Sequence, residues 1–385
     1  MAHRDQSAPK AVTHSSECAD LGRRSAAHQL LLAWYTQQGR DLPWRSTRDP
    51  YAILVSEVML QQTQVDRVLP KYREFLSRFP TLAALAAAPL AEVIRAWAPL
   101  GYNVRAVRLH QIARQAVAEF GGTLPGTLEG LLALKGIGRY TAGAIACFAF
   151  GLPVATVDTN IRRALWRLFR GIEPAEWPTG QPAVCAALAL AEWALPADAA
   201  YDWQQALMDL GATICLSRRP ACERCPVAAA CAAYAEVGAV ALFPSGETLA
   251  QLRAARRSGA APAPWSVASP PRLVAEERAV YGGEGAPLAA DETARGSRRG
   301  RPVVPFTSTS RYFRGRVLAA LRELDPGATL LLTDLGPRVK PDWTANDAPW
   351  LRDIVSGLAR DGLVQLVLAA GDTGAVEPFA VALPE

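Results

Sequence analysis

The stretch LKGIGRYTAGAIACFAFG, residues 134–151, has the pattern of two helices joined by a tight hairpin. Gly136 and Gly138 flank Ile137, and glycine permits a positive φ and a close approach by another backbone. We expect Ile137 to be buried beneath the turn, while N–H groups of the turn and of the next helix start can hold a phosphate. An ordinary connection between two helices is the alternative, because it also fits a G-x-G pattern.

The bulk composition is that of a globular protein without membrane segments. The chain has 385 residues, half of them apolar and a fifth charged, and a formal net charge of +5. This length predicts two or three domains, and the mild positive charge is compatible with a nucleic-acid partner. The first residues lack the apolar core of a signal peptide, and the most apolar stretch, AVCAALALAEWALPA, is too short to span a bilayer. We expect a reducing cytoplasmic setting, where clustered cysteines bind metals more often than they form disulfides.

Changes of composition divide the chain into four segments. Residues 1–24 are polar and predict a disordered tail, whereas residues 25–244 show helical periodicity interrupted by turn residues. Residues 245–303 are rich in Gly, Pro, Ala and Arg, which is typical of a flexible linker. Residues 304–385 predict two helices, one within SRYFRGRVLAALREL and one within WLRDIVSGLARDG, and then two short strands, LVQLVLAA and FAVAL. Helices followed by a β-hairpin indicate a small winged-helix module.

Two acidic residues have surroundings that suit acid–base chemistry. Glu57 lies in the apolar helix pattern YAILVSEVMLQQTQV, and burial there raises the pKa of a carboxyl towards the general-acid range. Asp158 lies where the helix pattern of TVDTNIRRALWRLF begins. Such a pair suits cleavage of an N-glycosidic bond, in which one acid protonates the leaving base and the other faces a cationic sugar. The alternatives are a solvent-facing Glu57 and a simple helix N-cap formed by Asp158 or Asn160.

Four of the seven cysteines lie within CLSRRPACERCPVAAAC, residues 215–231, with the spacing C-x6-C-x2-C-x5-C. Structural zinc sites usually pair two C-x2-C motifs, and here one is present. The spacing therefore favours a [4Fe–4S] cluster over zinc, with unliganded thiols as a third possibility. Arg218, Arg219 and Arg224 lie between the cysteines, where they form either a phosphate-binding loop or a solvated surface.

Taken in order, these motifs resemble the endonuclease III superfamily of DNA repair glycosylases, and within it the MutY-type adenine DNA glycosylases. The resemblance covers about residues 26–234. The motifs that carry it are LPWR (42–45), SEVMLQQTQV (56–65), LGYNVRA (100–106), GIGRYTAGAIA (136–146), VDTN (157–160), QALMDLGATIC (205–215) and the cysteine run. The resemblance implies a mostly α, two-lobed helix-hairpin-helix glycosylase fold with an iron–sulfur loop, here followed by a C-terminal winged-helix-like module.

The resemblance also implies residue roles. Glu57 is expected to protonate N7 of an extruded adenine and Asp158 to stabilise the oxocarbenium ion, with Tyr140 and Asn160 positioning these two acids. The residues expected to line the base pocket are Trp44, Arg45, Leu60 and Gln205. The residues expected to contact DNA are Gln61, Gln62, Thr63, Tyr102, Lys135, Gly136, Gly138 and Arg139, of which Gln62 and Tyr102 fill the gap beside the opposite base. The expected [4Fe–4S] ligands are Cys215, Cys222, Cys225 and Cys231.

Three positions depart from the patterns of related enzymes. Tyr140 stands where the bifunctional enzymes have a Schiff-base lysine, so strong AP-lyase activity is not expected, and Lys135 is expected to contact phosphate instead. Asn103 stands where MutY-type proteins usually have a second tyrosine, and Thr159 where glycine is common. No histidine follows His110, so the Phe-Ser-His element that reads 8-oxoguanine in many MutY proteins is not present in its usual form.

These observations predict a monofunctional, monomeric adenine DNA glycosylase that acts on adenine opposite 8-oxoguanine or guanine in duplex DNA. We expect it in the cytoplasm, associated with the nucleoid. The first alternative is a mismatch glycosylase that removes thymine or uracil opposite guanine. The second is an iron–sulfur DNA-binding protein without catalytic activity.

Overall fold

The computed structural model describes residues 14–172, 180–237, 305–368 and 379–385, and the side chains of residues 20–172, 180–236, 305–367 and 380–385. The helices are α1 (His14–Gln38), α2 (Pro50–Leu60), α3 (Val65–Arg78), α4 (Leu82–Ala87), α5 (Leu90–Trp97), α6 (Val104–Phe120), α7 (Leu128–Ala133), α8 (Arg139–Phe148), α9 (Thr159–Arg170), α10 (Gln181–Ala194), α11 (Ala200–Thr213), α12 (Ala232–Val237), α13 (Ser310–Arg322), α14 (Leu332–Val339) and α15 (Ala348–Arg360). The strands are β1 (Leu330–Leu331), β2 (Gln365–Leu368) and β3 (Phe379–Ala382). None of the described helices is both long enough and apolar enough to cross a membrane.

The chain divides into two compact units, and each is built from two separate stretches of sequence. The first unit combines Met1–Arg45 with Ala142–Glu284, and the second combines Ser46–Thr141 with Gly285–Glu385. The boundary at Thr141 falls within α8, so this helix contributes to both units.

The first unit is built around the apolar faces of α9 and α11. Leu165 and Leu168 of α9 and Trp203 and Leu207 of α11 are almost fully buried in one hydrophobic cluster. Helix α1 joins this cluster through Ala27 and Leu31. The helix begins at His14, inside the segment predicted to be a disordered tail. Arg24, the last residue of that segment, is already tied to the core, because its Nη1 donates to the carbonyl of Trp193 at 2.9 Å.

The helix–hairpin–helix predicted around residues 134–151 is present, and its turn belongs to the second unit. Helix α7 ends at Ala133, α8 begins at Arg139, and the connecting turn buries Ile137 to 6% exposure. Gly136 has φ +99°, and a Cβ atom there would lie 2.6 Å from Cγ of Arg108. Glycine is required at this position for both reasons, whereas a Cβ on Gly138 would meet no atom within 4 Å.

The C-terminal segment has the predicted winged-helix arrangement. Its strands form an antiparallel sheet in the order β1-β3-β2, with Leu366 paired to Val381. The predicted helices correspond to α13 and α15, and the predicted strands to β2 and β3. Strand β1 and helix α14 complete the fold, although the sequence did not predict them. The predicted linker of residues 245–303 and the turn between β2 and β3 lie outside the described residues.

The C-terminal segment shares a hydrophobic cluster with the helical part of the second unit. Ile94 of α5 and Val107 of α6 pack in the same cluster as Val317 and Leu321 of α13. Both Ile94 and Val107 are at least 96% buried, since their exposures are 0% and 4%. The segment therefore covers an apolar surface of α5 and α6.

Candidate active site

Asp158 caps the N-terminus of α9, as its position in the helix pattern predicted. Its Oδ1 accepts a hydrogen bond from Ile161 N at 2.6 Å, and its Oδ2 accepts one from Asn160 Nδ2 at 3.2 Å. The side chain of Asn160 thus holds one oxygen of the carboxylate, and the backbone of α9 holds the other. The backbone has φ −100° and ψ −177° at Asp158, and the helix begins directly at Thr159. Thr159 therefore needs no glycine-specific conformation.

The protonation of Asp158 is set by opposing contributions. Burial raises the pKa of this carboxyl above its ordinary value of 3.8, and this contribution is the largest. Hydrogen bonds from Ile161 N and Asn160 and the positive charge of Arg163 act in the opposite direction. Because the net pKa is raised, the fold disfavours the charged form of Asp158 relative to a solvated carboxylate.

A chain of hydrogen bonds connects Asp158 to the cysteine segment through Arg163. Asn160 Oδ1 accepts from Arg163 Nη2 at 3.0 Å, and Arg163 Nε donates to the carbonyl of Cys215 at 2.9 Å. Arg163 Nη2 also donates to the carbonyl of Gly211 at 2.7 Å. Arg163 therefore fixes the orientation of Asn160, and Asn160 fixes Asp158. Sequence analysis assigned no role to Arg163.

The loop that precedes Asp158 is fixed by Gln204 of α11. Gln204 Oε1 accepts from the backbone N–H of Thr156 at 2.6 Å, and Gln204 Nε2 donates to the carbonyl of Val154 at 3.0 Å. Gln204 is 2% exposed, so these bonds form away from water. The loop thus enters α9 in one fixed conformation.

The LPWR segment is anchored by Asp209, a residue that sequence analysis did not single out. Arg45 donates to Asp209 in a bidentate pair, at 2.8 Å from Nη1 and 2.7 Å from Nη2. Arg40 adds a second ion pair at 2.6 Å, and Asp209 is 1% exposed. The guanidinium of Arg45 also lies 5.6 Å from the ring centre of Tyr35. Burial raises the pKa of Asp209, but hydrogen bonds from Arg45 and Arg40 outweigh it and leave the net pKa below the ordinary value.

Gln205 has the polar atom that best marks a ligand-binding surface in the first unit. It lies one helical turn before Asp209 on α11 and is 3% exposed. Its Oε1 is buried without a hydrogen-bond partner among the described residues. Buried acceptors are rarely left unpaired in native proteins, and an external donor is one explanation for the exceptions. Trp44, which is also expected in the base pocket, is 6% exposed.

Glu57 lies on α2, whose residues from Tyr51 to Met59 are all buried. Asp49 caps this helix by accepting from Tyr51 N at 3.0 Å and from Ala52 N at 3.3 Å, and Pro50 follows at the first helical position. Glu57 itself is 7% exposed, so the solvent-facing alternative is excluded. Leu60, at the end of the same helix, is partly buried.

Two loops of the second unit are tied together by one buried arginine. Arg105 Nη1 donates to the carbonyl of Gln61 at 2.5 Å, and its Nη2 donates to Thr63 Oγ1 at 3.0 Å and to the carbonyl of Gly101 at 3.1 Å. Arg105 is 4% exposed, and burial lowers its pKa to about 10. One side chain therefore sets the conformation of both the Gln61–Thr63 loop and the loop that starts at Gly101.

Gln62 and Tyr102 stand out in these two loops by their backbone conformation. They are the non-glycine residues with positive φ among the described residues, at 55° and 45°. Left-handed backbone is uncommon for non-glycine residues and concentrates at functional sites. Both residues are exposed, Tyr102 to 38%. The resemblance had assigned these two residues to the gap beside the opposite base.

The hairpin residues expected to contact DNA lie on an exposed turn. Lys135, Gly136 and Gly138 are exposed, and Arg139 and Tyr140 are partly buried at the start of α8. Lys135 N donates to Gln115 Oε1 at 2.9 Å, which fixes the entry to the turn. An exposed turn that leads into a helix, with Lys135 before it and Arg139 after it, has the chemistry of a phosphate-binding surface.

The four cysteines of residues 215–231 line one pocket. Arg167 lines the same pocket, and its Nη1 lies 3.4 Å from Cys215 Sγ. Burial, and then the neighbouring thiols Cys215 and Cys231, raise the pKa of Cys222 to about 12. Metal binding deprotonates cysteine ligands, so a bound cation would offset this raised pKa.

The donor set of this pocket fits an iron–sulfur cluster. Four cysteine thiolates are the usual ligands of a [4Fe–4S] cluster. Among the described residues, no group of three or more His, Cys, Asp or Glu side chains is arranged to hold a metal ion. The four sulfur atoms thus line the pocket but do not converge on one point.

A known family and several known proteins match this chain. Residues 55–176 match the model of the HhH-GPD superfamily of base excision DNA repair proteins. The adenine DNA glycosylase of Mycobacterium tuberculosis is 44% identical over 208 residues, which cover 54% of this chain and 67% of that relative. The chain belongs to the HhH-GPD superfamily.

Two further matches extend across the superfamily. The human adenine DNA glycosylase is 44% identical over 237 residues, which cover 59% of this chain and 43% of that protein. The solved structure of a thermostable thymine-DNA glycosylase matches with a TM-score of 0.51 and 32% identity, over 57% of this chain and 99% of that one. This HhH-GPD chain therefore spans 43% of the length of the human relative and 67% of the length of the M. tuberculosis relative. The predicted fold class is confirmed.

The expected site residues of this HhH-GPD protein belong to both units. The first unit contains Trp44, Arg45, Asp158, Asn160, Gln205 and the four cysteines. The second contains Glu57, Leu60, Gln61, Gln62, Thr63, Tyr102, Lys135, Gly136, Gly138, Arg139 and Tyr140. The residues without an assigned role that hold these side chains are Arg105, Arg163, Gln204 and Asp209. Arg105 and Asp209 lie inside the motifs LGYNVRA and QALMDLGATIC. Their place in these motifs is the sequence feature that could have identified them.

Proposed function

We propose that the chain is an adenine DNA glycosylase of base excision repair. It hydrolyses the N-glycosidic bond of an adenine mispaired with 8-oxoguanine or guanine, releases free adenine and leaves an abasic site. The identity of 44% to two proteins named adenine DNA glycosylase supports this choice. The protein acts as a monomer on duplex DNA, in the cytoplasm and associated with the nucleoid.

The observation that carries the proposal is the Asp158 carboxylate. It is held at a helix start by Ile161 N and Asn160, and burial raises its pKa, so that a positive charge beside it would favour its ionised form. A developing oxocarbenium ion supplies this positive charge, so the interaction strengthens as the bond breaks. This is the behaviour required of the stabilising carboxylate in glycoside cleavage.

Glu57 is proposed as the general acid. It lies on α2, whose side chains are buried from Tyr51 to Met59. Glu57 donates its proton to adenine N7, the bond between C1′ and N9 breaks, and adenine leaves neutral. Water then adds to C1′ of the oxocarbenium ion and gives its proton to the Glu57 carboxylate, which restores the acid. Tyr140 positions Glu57. Asp158 faces the cationic sugar of the same nucleotide.

The base pocket is proposed to consist of Trp44, Arg45, Leu60 and Gln205. The unpaired Gln205 Oε1 accepts a hydrogen bond from the N6 amino group of adenine, while N7 remains available to Glu57. Arg45 uses its Nη atoms for Asp209, and its buried Nε has no partner among the described residues. The base must leave the stack to reach such a pocket.

The DNA contacts are proposed to come from the hairpin and from the two loops held by Arg105. The turn at Gly136 and Gly138, with Lys135 and Arg139, binds phosphate groups through N–H groups and charge. Gln61 and Thr63 border the loop from which Gln62 projects, and Gln62 and Tyr102 fill the gap left by the extruded base.

The enzyme is proposed to be monofunctional. Bifunctional glycosylases attack the sugar with an amine, and Tyr140 has a phenol at the corresponding position. Base release without strand cleavage after neutral work-up is the expected product pattern.

The cysteines Cys215, Cys222, Cys225 and Cys231 are proposed to hold a [4Fe–4S] cluster. A bound cluster cross-links the segment and takes no part in the hydrolysis. Iron and sulfide quantitation on purified protein tests this, with an expected ratio of about four iron atoms per chain. Substitution of Cys225 by Ser is expected to reduce both contents and the visible absorbance.

A second candidate is removal of thymine or uracil opposite guanine, because a thymine-DNA glycosylase structure matches over 99% of its length. A panel of labelled duplexes with A·8-oxoguanine, A·G, T·G and U·G mispairs separates the two. We expect adenine release from the first two duplexes under single-turnover conditions. Release of thymine or uracil without adenine contradicts the proposal.

The same panel tests the non-catalytic alternative. Glu57→Gln is expected to bind the mispaired duplexes with unchanged affinity and to release no base. A wild-type protein as inert as this variant on all four duplexes supports a DNA-binding role without catalysis.

A further inference from the structure

The loop from Gly101 to Asn103 has an unusual backbone that the neighbouring side chains maintain. Gly101 and Tyr102 are consecutive residues with positive φ, at 74° and 45°. Trp97 Nε1 and Arg105 Nη2 both donate to the carbonyl of Gly101 at 3.1 Å. A non-glycine residue persists in this conformation only when the surrounding structure holds it. The exposed Tyr102 side chain is therefore presented by a constrained loop.

The C-terminal segment supplies a second set of contacts to the same loop. Arg322, the last residue of α13, donates from Nη2 to Asn103 Oδ1 at 2.8 Å. Arg311, near the start of α13, has its guanidinium 4.9 Å from the ring centre of Tyr102. This is within the range of a cation–π contact. The two ends of one helix thus hold two consecutive residues of the loop.

The contact between Arg322 and Asn103 is a specific one. Burial lowers the pKa of Arg322, and its Nε is buried without a partner among the described residues. Arg322 donates to the neutral side chain of Asn103, at the position where MutY-type proteins usually have tyrosine. Asparagine thus supplies a side-chain acceptor for this buried cation.

Packing and backbone contacts keep α13 in register with the loop. Val317 and Leu321 pack in one cluster with Ile94 and Val107. Arg95 Nη2 donates to the carbonyl of Leu324, just beyond the helix, at 3.1 Å. The positions of Arg311 and Arg322 are therefore fixed by α5 and α6, which also border the loop.

We infer that Arg322 and Arg311 are positioning residues that hold Tyr102 in the orientation in which it enters the duplex. The inference rests on the proposed function, because Tyr102 must contact DNA for its orientation to count. The C-terminal module then affects DNA binding through the loop from Gly101 to Asn103. Arg314 and Arg316 of the same helix are engaged elsewhere, with Asp361 and with the carbonyl of Arg338.

A double-mutant cycle on the full-length holoprotein tests this inference. Arg322→Met, Tyr102→Ala and the double variant are compared for their dissociation constant with a duplex that carries a non-hydrolysable abasic-site analogue. We expect Arg322→Met to weaken binding roughly tenfold in the wild-type background and less than twofold in the Tyr102→Ala background, since coupled residues are non-additive. Arg322→Lys retains a donor and is expected to restore most of the affinity.

Two further variants separate positioning from charge and folding effects. Arg360→Met removes an exposed cation of the same segment and is expected to change binding less than twofold. Asn103→Leu removes the acceptor from the other side and is expected to repeat the loss seen with Arg322→Met. Thermal unfolding of each variant identifies those that are folded, and the cycle is scored on these.

Additive losses for Arg322 and Tyr102, or an equal loss with Arg360→Met, overturn the positioning role. The mispair panel is run on the same preparations. A wild-type protein that releases no base overturns the proposed function, whereas adenine release with additive binding losses overturns the positioning role alone.

Discussion

At the scale of single residues, Asp158 combines a structural and a chemical task in one carboxylate. It caps α9, and it keeps a raised pKa because burial outweighs the hydrogen bonds and charge that act on it. A raised pKa of an acid means that the folded protein binds the proton more tightly than the unfolded chain does. The contribution of Asp158 to stability is therefore largest below its ordinary pKa of 3.8 and falls as the pH rises through its folded pKa.

Asp158→Asn is expected to lose base release while the protein remains at least as stable as the wild type. The amide still caps the helix and removes the cost of a buried charge, but it cannot face a cationic sugar. We expect a loss of roughly a thousandfold in the single-turnover rate. Thermal unfolding at pH 5 and pH 8 checks the stability, with the advantage of the variant larger at pH 8. A variant that is less stable than the wild type at pH 8 contradicts the account.

Asp209→Asn is expected to behave in the opposite way. Arg45 and Arg40 lose their buried partner, and breaking such a pair costs about 3 kcal/mol. The net pKa of Asp209 is lowered, so its contribution to stability is present above 3.8 and is lost as the pH falls further.

The measurement for Asp209→Asn is the midpoint of thermal unfolding between pH 3 and pH 7. The wild type is expected to lose its advantage over the variant towards pH 3. Exposed Asp202→Asn, on the same helix, is the matched control and should leave the midpoint almost unchanged. A constant difference from pH 3 to pH 7 is inconsistent with the predicted role of the ion pair.

At the scale of the elements, the hairpin depends on one glycine more than on the other. Gly136→Ala forces a left-handed alanine and a Cβ atom 2.6 Å from Arg108 Cγ, so we expect a destabilisation of about 1–2 kcal/mol. Gly138→Ala is the matched control for stability, because its Cβ meets no neighbour within 4 Å. Denaturant unfolding measures both. Equal stability of the two variants contradicts the assigned difference.

Patterns among residues close in sequence predicted helices and turns. Elements that depend on contacts between distant residues were not predicted. Periodicity and turn residues predicted the hairpin around Ile137 and the helices α13 and α15, because these patterns are fixed by neighbours in sequence. Strand β1 was not predicted, because its two residues, Leu330 and Leu331, form a strand by pairing with the distant strand β3.

The supporting residues of the candidate site were not predictable for the same reason. Arg105 bonds to residues 42 to 47 positions earlier in the chain, and Arg163 bonds to the carbonyl of Cys215, 52 positions later. A single sequence shows that these arginines exist but not what they contact. The residues of the quoted motifs could be assigned roles only through the resemblance.

At the scale of the whole molecule, the C-terminal module is part of the second unit. Deletion of residues 305–385 exposes Ile94 and Val107, at a cost of roughly 1.5–3 kcal/mol for each side chain. We expect a lower unfolding temperature, a tendency to aggregate and weaker DNA binding.

Size-exclusion chromatography and thermal unfolding of the truncated chain measure this effect. Replacing Ile94 and Val107 by Ser in the truncated chain is the control, and it is expected to restore solubility without restoring DNA affinity. A truncated chain as stable as the full one is incompatible with the shared hydrophobic cluster.

The first unit is built from two separate stretches of sequence, and this affects how the chain folds during synthesis. Ala27 and Leu31 of α1 are buried in the cluster formed with α9 and α11, and α11 begins only at Ala200. At 5–20 residues per second, the ribosome releases α11 on the order of 10–30 s after α1. During that interval the N-terminal helix emerges without its packing partners. Chaperone binding to nascent chains is therefore expected to persist until α11 has left the exit tunnel.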